Sequence, residues 1–207
     1  IEEQEQLVEQ RRADCEKLAA ELSAKRHEAA LAVEKGMTER LVPLGIPKVR
    51  FKVEMMPIAI GPDGADKIVF LFSANSSSPM QQVSQVASGG EIARVMLSLK
   101  AMMGNAVDLP TIIFDEIDTG VSGKMAERMA EVMQQMAQSC QVICITHLPQ
   151  IAALGEAHYF VYKTEGADAT TSSIKQLDNE GRIREIATML SGAELTAAAI
   201  ENAKALL

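Results

Sequence analysis

The chain has 207 residues, 47% of them hydrophobic, which is enough apolar material for one ordinary domain with a packed core. Its net charge of −8 argues against a broad nucleic-acid-binding face, although a local basic stripe remains compatible with it. The sequence has no apolar run of membrane-spanning length, no signal peptide and three cysteines without a CxxC pair, so we expect free thiols in a reducing cytoplasm and no membrane partner.

The first predicted element is a long helix over residues 1–36, which contains no Gly or Pro before Gly36. Counting heptads from Ile1 gives one mostly apolar seam position and a second that is only half apolar. This pattern predicts the root of a coiled-coil arm, with a solvated amphipathic helix packed on the domain as the alternative. Because the sequence lacks an initiator Met and starts inside this helical pattern, we expect part of a longer protein, with an arm root at 1–36 and a lobe at 37–207.

A β-rich stretch follows the helix. Residues 48–54 alternate in polarity as a half-buried strand does, 61–64 form a turn signal, and 67–73 read as the returning strand. Residues 74–85 are polar and predict a loop.

The rest of the chain alternates helix and strand, which indicates parallel strands joined by crossover helices. The predicted helices before the final hairpin are 91–103 and 124–138, and the predicted buried strands are 111–114 and 141–146. A hairpin and two terminal helices then close the chain at 159–163, 172–177, 183–190 and about 194–207.

Polar residues stand at the carboxyl ends of both buried strands. Asp115 and Glu116 end the first strand, and Thr146 and His147 end the second. Ligands bind at this edge of parallel α/β sheets, where one acid could hold Mg²⁺ and the other could orient a water. Taken singly, a strand-end cap or a structural histidine explains each of these residues equally well.

Two glycine-containing segments flank the first strand. Ser88, Gly89, Gly90 and Glu91 stand where a helix begins, so their N–H groups could bind a phosphate, although Ser88 could equally be an ordinary N-cap. Asp118 opens a Gly-rich loop, residues 118–123, that could reach a second active site or could be a simple strand-to-helix turn.

The order of these segments resembles the C-terminal part of an ABC-type nucleotide-binding domain: signature motif, Walker B strand, D-loop and switch histidine. No G-x-x-x-x-G-K-[ST] phosphate loop occurs, and the run ending at Lys124 is not one, because Met125 follows it and it lies after the acidic strand. An arm leading into the signature lobe is typical of the SMC-like branch. The resemblance implies an α/β fold: the C-terminal lobe of an ABC/SMC-type P-loop ATPase head, with parallel strands, flanking helices, a preceding coiled-coil helix and no N-terminal Walker A lobe.

Within that branch the sequence resembles the RecN family of bacterial DNA-repair proteins over nearly all of residues 40–207. The segments that carry this resemblance are 70–75, 86–94, 113–123, 145–152, 184–187 and 189–192. The THLPQ segment helps to separate the chain from chromosome-condensing SMC heads, which do not usually carry that histidine.

The resemblance implies ATP and Mg²⁺ as cofactors. Asp115 would hold the metal, Glu116 would activate the hydrolytic water, and His147 would contact the γ-phosphate. Ser88, Gly89, Gly90 and Glu91 would form the signature that binds the ATP of the opposite head, and Asp118 with its loop would line the dimer interface.

The resemblance also implies partners. These are the N-terminal Walker A lobe, a second head in a homodimer, and DNA ends or single-stranded overhangs bound through the full-length protein in the nucleoid. The task would be repair of double-strand breaks, with this chain alone inactive as an ATPase because it has no phosphate loop.

Three other hypotheses stay open at the level of sequence. The chain could be the head of another SMC-like protein, a recombination mediator or a chromosome-structure protein. It could be a non-ABC metal hydrolase that uses Asp115, Glu116 and His147 together, or a structural coiled-coil adaptor.

Overall fold

The computed structural model describes residues 1–86, 88–103, 109–165, 170–192 and 195–207. The chain forms two compact units, Ile1–Ser98 and Leu99–Leu207. In chain order the elements are α1 (Glu2–Leu41), β1 (Arg50–Gly61), β2 (Gly64–Ser73), β3 (Gln81–Gln82), a 3₁₀ turn (Val83–Gln85), α2 (Gly89–Met103), β4 (Thr111–Asp115), α3 (Lys124–Met136), β5 (Gln141–Ile145), α4 (Pro149–Ala153), β6 (Tyr159–Glu165), β7 (Thr170–Gln176), α5 (Asn179–Ser191) and α6 (Ala197–Leu206).

Helix α1 is a single helix of 40 residues that continues past the predicted end at residue 36. Its C-terminal half packs on the β1–β2 hairpin, where Ser23 Oγ donates to Asp66 Oδ1 at 2.9 Å and Glu34 Oε1 accepts from the backbone N–H of Val53 at 2.8 Å. Residues 1–18 are exposed. The helix therefore packs on the hairpin through its C-terminal half, and the coiled-coil arm root at residues 1–36 stays a prediction.

The predicted hairpin of the first unit is confirmed, and both of its strands are longer than predicted. Strands β1 and β2 pair in antiparallel register from Arg50 opposite Ser73 to Gly61 opposite Gly64, with one irregularity after Pro57. Residues 74–85, predicted as loop throughout, also contain the short β3, which pairs with the end of β2, and the 3₁₀ turn. This prediction failed because a two-residue strand carries no periodicity.

The second unit contains the parallel pair that the alternation of elements predicts. Strands β4 and β5 pair in parallel register, and α3 is the crossover between them and packs on β5. Helix α3 buries one face, as its sequence pattern predicts. The buried residues of this face are Ala126, Met129, Ala130, Met133 and Met136.

The apolar sequences of β4 and β5 predict that both faces of these strands are buried, and this prediction is wrong for this chain. Ile112 and Phe114 are buried, but Ile113 is 63% exposed and its cross-strand neighbour Ile143 is 42% exposed. Ile145 is 53% exposed on the same face. An alternating exposure pattern on an apolar strand means that only one face of this sheet is covered within the chain.

The last elements are the β6–β7 hairpin and the small helices α4, α5 and α6. The hairpin was predicted; α4 was not, because its five residues follow Pro149 and are too few for a periodic signal. Helices α5 and α6 begin at other positions than predicted because Asp178 and Thr196 cap them, each accepting a hydrogen bond from the first helical turn. Glu194, the predicted start of the last helix, lies outside the described residues.

Ala153, Ile186 and Ala203 form part of the core that joins these three helices. Among the residues that the structure describes, no helix is both long enough and apolar enough to cross a bilayer.

Candidate active site

The acidic pair and the Thr-His pair lie at the same edge of the parallel sheet. Asp115 is the last residue of β4 and stands opposite Ile145, the last residue of β5. Glu116, which follows β4, therefore lies beside Thr146 and His147, which follow β5. Carboxyl ends of parallel strands are where α/β proteins place ligands, and the structure confirms that the two predicted strand ends meet.

The carboxylates of Asp115 and Glu116 are exposed. Within the described residues, neither carboxylate has a hydrogen-bond or ion-pair partner from the chain. Both are therefore free to act on something that the chain itself does not supply.

Glu116 has a left-handed backbone, with φ of +50°, and no other non-glycine residue in the described part of the chain has a positive φ. Such a conformation costs on the order of 1–3 kcal/mol for a residue with a Cβ. Surrounding hydrogen bonds hold it in place, because Thr119 donates to the Glu116 carbonyl through both its N–H, at 3.3 Å, and its Oγ1, at 3.0 Å. Backbone strain of this kind concentrates at functional positions.

Asp118 has the opposite surroundings, since it is fully buried. Its Oδ2 accepts from Thr146 Oγ1 at 2.5 Å and from the backbone N–H of His147 at 3.1 Å, and it lies 3.2 Å from His147 Nδ1. The carboxylate thereby ties the loop after β4 to the end of β5. His147 itself is exposed, with its ring projecting from this anchor.

The thiol of Cys144, on β5, shares the surroundings of Asp118. Burial raises the pKa of Cys144 to about 11, and the negative charge of Asp118 adds to the rise. A low-dielectric setting strengthens charge-assisted hydrogen bonds, so the contacts of Asp118 with Thr146 and His147 are stronger than they would be in water.

The predicted signature residues lie in the first unit, at the start of α2. Ser88 is the N-cap, because its Oγ accepts from the N–H of Glu91 at 3.4 Å and its carbonyl accepts from Ile92 at 3.0 Å. Ala87, which precedes it in the motif, lies outside the described residues. The capping interpretation of Ser88 is thus confirmed, and a cap leaves the first N–H groups of the helix available to an anion.

Gly89 is exposed, has no positive φ, and a Cβ at that position would meet nothing within 4 Å. Neither backbone conformation nor crowding inside the chain requires a glycine there. A close approach by a group from outside the chain would require one.

The residues present fit one magnesium ion bound together with phosphates. The described residues contain no group of three or more His, Cys, Asp or Glu side chains placed to hold a metal by themselves. Mg²⁺ in phosphoryl-transfer sites takes only one or two protein carboxylates, with phosphate and water oxygens completing its shell. Asp115 presents a carboxylate at an exposed strand end, as such a site requires.

All five polar residues at this edge are visible in the sequence, but the sequence assigns no role to Thr146. Its hydroxyl donates to Asp118 and accepts from the N–H of Leu148 at 3.0 Å, which closes the turn after β5. The sequence feature that could have indicated this role is a hydroxyl residue directly before the histidine at the strand end.

No protein-family model matches the chain. Curated relatives do: a protein named DNA repair protein RecN from Halalkalibacterium halodurans is 37% identical over all of this chain and 38% of its own length. Proteins of the same name from Vibrio cholerae and Bacillus subtilis are 37% and 41% identical, over 91% and 75% of this chain. The chain spans about a third of the length of these relatives, 38%, 34% and 27% respectively.

Solved structures give the fold. The Smc head domain with a coiled coil and joint from Pyrococcus yayanosii matches 82% of this chain with a TM-score of 0.61 at 19% identity, and 30% of that chain is covered. A structure from work on ATP-driven dimerization of SMC ATPases matches 81% of this chain and 96% of its own, with a TM-score of 0.55 at 17% identity. The predicted fold class, a lobe of an ABC/SMC-type head, is confirmed.

Proposed function

The chain belongs to the RecN family, whose C-terminal part it matches, and on that premise we propose that it is the C-terminal half of an SMC-like ATPase head. The head would bind and hydrolyse ATP across a head dimer during DNA double-strand break repair and recombination. The observation that carries the proposal is the meeting of Asp115 and Glu116 with Thr146 and His147 at adjacent carboxyl ends of a parallel strand pair.

ATP with Mg²⁺ supplies the electrophilic γ-phosphate, and the residues at the strand ends act on it. Asp115 would hold the ion through its exposed carboxylate. Glu116 orients and polarises the attacking water, a role that its exposed and unpaired carboxylate suits. His147 contacts the γ-phosphate from the end of β5.

The start of α2 serves the opposite head. Of the four predicted signature residues Ser88, Gly89, Gly90 and Glu91, the first two are exposed at the start of the helix, where the helix dipole favours an anion. Gly90 is buried, and the N–H of Glu91 donates to the Ser88 cap. The bare backbone at Gly89 admits a phosphate without displacing a side chain. Thr119 and Gly120, the exposed residues that follow Asp118, line the interface between the heads.

The uncovered face of β4 and β5 supports the N-terminal Walker A lobe as a partner. Ile113, Ile143 and Ile145 expose apolar surface there, and a sheet of parallel strands is ordinarily covered on both faces. The Walker A lobe of the same protein would cover this face and bring the phosphate loop, so this chain alone would not hydrolyse ATP.

The remaining assignments rest on the relatives. Residues 1–36 would be the root of the coiled-coil arm and 37–207 the lobe, with DNA bound through the full-length protein in a nucleoid-associated, cytoplasmic setting. A non-ABC metal hydrolase gains no support from the geometry, because the described residues contain no group of three or more His, Cys, Asp or Glu side chains placed to hold a metal ion.

Glu116→Gln in the full-length protein tests the proposal. Removing the water-polarising carboxylate should lower ATP turnover by about 10²–10⁴-fold while preserving ATP binding and prolonging head pairing. Glu127→Gln, an exposed glutamate in the first turn of α3, is the matched control and should leave turnover unchanged. Rapid turnover in Glu116→Gln would remove Glu116 from this role.

A further inference from the structure

The contacts of Asp118 fix more than the position of a loop. Its buried Oδ2 faces three groups: the hydroxyl of Thr146, the backbone N–H of His147 and the ring Nδ1 of His147. A backbone N–H is always a donor. The other two groups, a hydroxyl and a ring nitrogen, can each donate or accept a hydrogen bond.

The hydroxyl of Thr146 is assigned by its second contact. It accepts from the backbone N–H of Leu148 at 3.0 Å, and its one proton is then directed at Asp118. The Nδ1 atom of His147 lies at ion-pair distance, 3.2 Å, from this carboxylate oxygen. A lone pair on Nδ1 would face the lone pairs of the oxygen and be repelled, so the carboxylate favours a proton on Nδ1. In neutral His147 the Nε2 atom must then carry the lone pair.

We propose that Asp118 is the positioning residue for His147: it holds the imidazole in the Nδ1–H tautomer and directs Nε2 away from the protein. The inference rests on the proposed function, because it gives a role in the ATPase cycle to a contact inside one head. It also assigns Asp118 a task within its own head, in addition to the predicted contribution of its loop to the dimer interface.

This tautomer determines how His147 meets a γ-phosphate. A neutral Nδ1–H ring presents a lone pair at Nε2, which a phosphate oxygen does not accept as a partner. The ring donates from Nε2 only when both ring nitrogens carry a proton, and the carboxylate of Asp118 then lies behind Nδ1, as the aspartate of a Ser-His-Asp triad lies behind its histidine. The contact also joins the loop at residues 118–123 directly to His147, so a shift of that loop on head pairing would reorient the ring.

The tautomer can be measured in this chain without any turnover. In protein labelled with ¹⁵N-histidine, two-bond ¹H–¹⁵N spectra at alkaline pH should show His147 predominantly as Nδ1–H, with His147→Gln identifying its signals. His27 is an internal reference, because its Nδ1 contacts the Ser23 carbonyl at 2.9 Å instead of a carboxylate. It is also far from Asp118 in the sequence. A predominantly Nε2–H signal for His147 in the unsubstituted chain would overturn the proposal.

Asp118→Asn supplies the second arm. A neutral amide oxygen is a weaker acceptor, so the Nδ1–H population of His147 should fall by about half or more while His27 is unchanged. Asp63→Asn, at the exposed β1–β2 turn, is the matched loss of charge and should change neither signal. Thr146→Val removes the hydroxyl that donates to Asp118 and leaves the carboxylate unaltered. It should also lower the Nδ1–H population of His147.

Turnover of the full-length protein completes the test. Asp118→Asn should lower the rate of ATP hydrolysis by about 10²-fold or more with ATP binding retained. An unchanged tautomer in Asp118→Asn, or full turnover despite a changed one, would contradict the positioning role. Failure of Glu116→Gln to affect turnover would instead contradict the proposed function and leave the tautomer result standing.

Discussion

Glu116 and Asp118 belong to one loop, yet their carboxylates have opposite surroundings. Glu116 is exposed on a strained backbone, whereas Asp118 is fully buried and hydrogen-bonded to Thr146 and His147. The sequence predicts that acids follow β4, because a short apolar run ending in Asp-Glu is visible directly. It does not predict which acid is buried, since that depends on the end of β5, about thirty residues further along the chain.

Gly89 gives a residue-scale prediction that separates stability from assembly. Gly89→Ala should leave the chain as stable as before, or more stable by up to ~1 kcal/mol, because the site is open and alanine favours helix. The added methyl should nevertheless weaken ATP-driven pairing of full-length heads, because it occupies the surface that the opposing phosphate would approach. Urea unfolding of the chain and light scattering of the full-length protein with ATP measure the two effects.

Ser84→Ala, at an exposed serine of the 3₁₀ turn before α2, is a suitable control for Gly89→Ala and should alter neither stability nor pairing. A Gly89→Ala variant that unfolds more easily would mean that the glycine serves the chain itself. Normal pairing in that variant would count against the signature assignment.

At the scale of elements, α1 and the β1–β2 hairpin form one packed assembly. The contacts of Asp66 with Ser23 and with Arg26, at 2.9 and 3.3 Å, hold the helix against the turn end of the hairpin. The sequence predicts the helix and both strands from their periods, 3.6 and 2. It does not predict that the helix packs on the strands, because contacts between polar residues far apart in the sequence produce no periodic pattern.

Gly64 and Gly61, which face each other at the hairpin end, make a matched pair of test positions. Gly64 has φ of +96°, and a Cβ there would lie 3.0 Å from Leu22 Cδ2 and 3.1 Å from Arg26 Nη1, whereas a Cβ on Gly61 would meet nothing within 4 Å. Gly64→Ala should therefore lower the free energy of unfolding by about 1–3 kcal/mol. Gly61→Ala should change it by less than ~0.5 kcal/mol.

Urea denaturation followed by circular dichroism measures both variants. Equal stability of Gly64→Ala and Gly61→Ala would show that α1 does not press on the hairpin end as described.

At the scale of the whole molecule, the parallel pair β4–β5 is the feature that most needs a partner. The apolar sequences of both strands predict burial on two faces, and only one face is buried within this chain. That prediction failed because an apolar strand sequence does not tell whether both faces are covered by the same chain. We propose that the Walker A lobe covers the second face. The site was likewise predictable in residue identity and strand-end position, but not in how Asp118 connects its parts.

Ile113→Lys tests whether that face is an assembly surface. Because Ile113 is already 63% exposed, a lysine there should leave the stability of the chain nearly unchanged, while binding of the Walker A lobe should weaken by about tenfold or more. Ile174, 67% exposed on β7, provides the control Ile174→Lys, which should leave binding of that lobe intact. Calorimetric titration of each chain variant with the separate lobe gives the comparison.

An equal effect of Ile113→Lys and Ile174→Lys, or none, would place the contact with the Walker A lobe elsewhere.

The most direct test of the central claim is to mix this chain with the matching Walker A lobe and measure ATP hydrolysis with and without DNA ends. Neither part should hydrolyse ATP alone, whereas the mixture should do so, faster with DNA, and should lose the activity in Glu116→Gln. Binding of the two parts without hydrolysis would contradict the roles given to Asp115, Glu116 and His147.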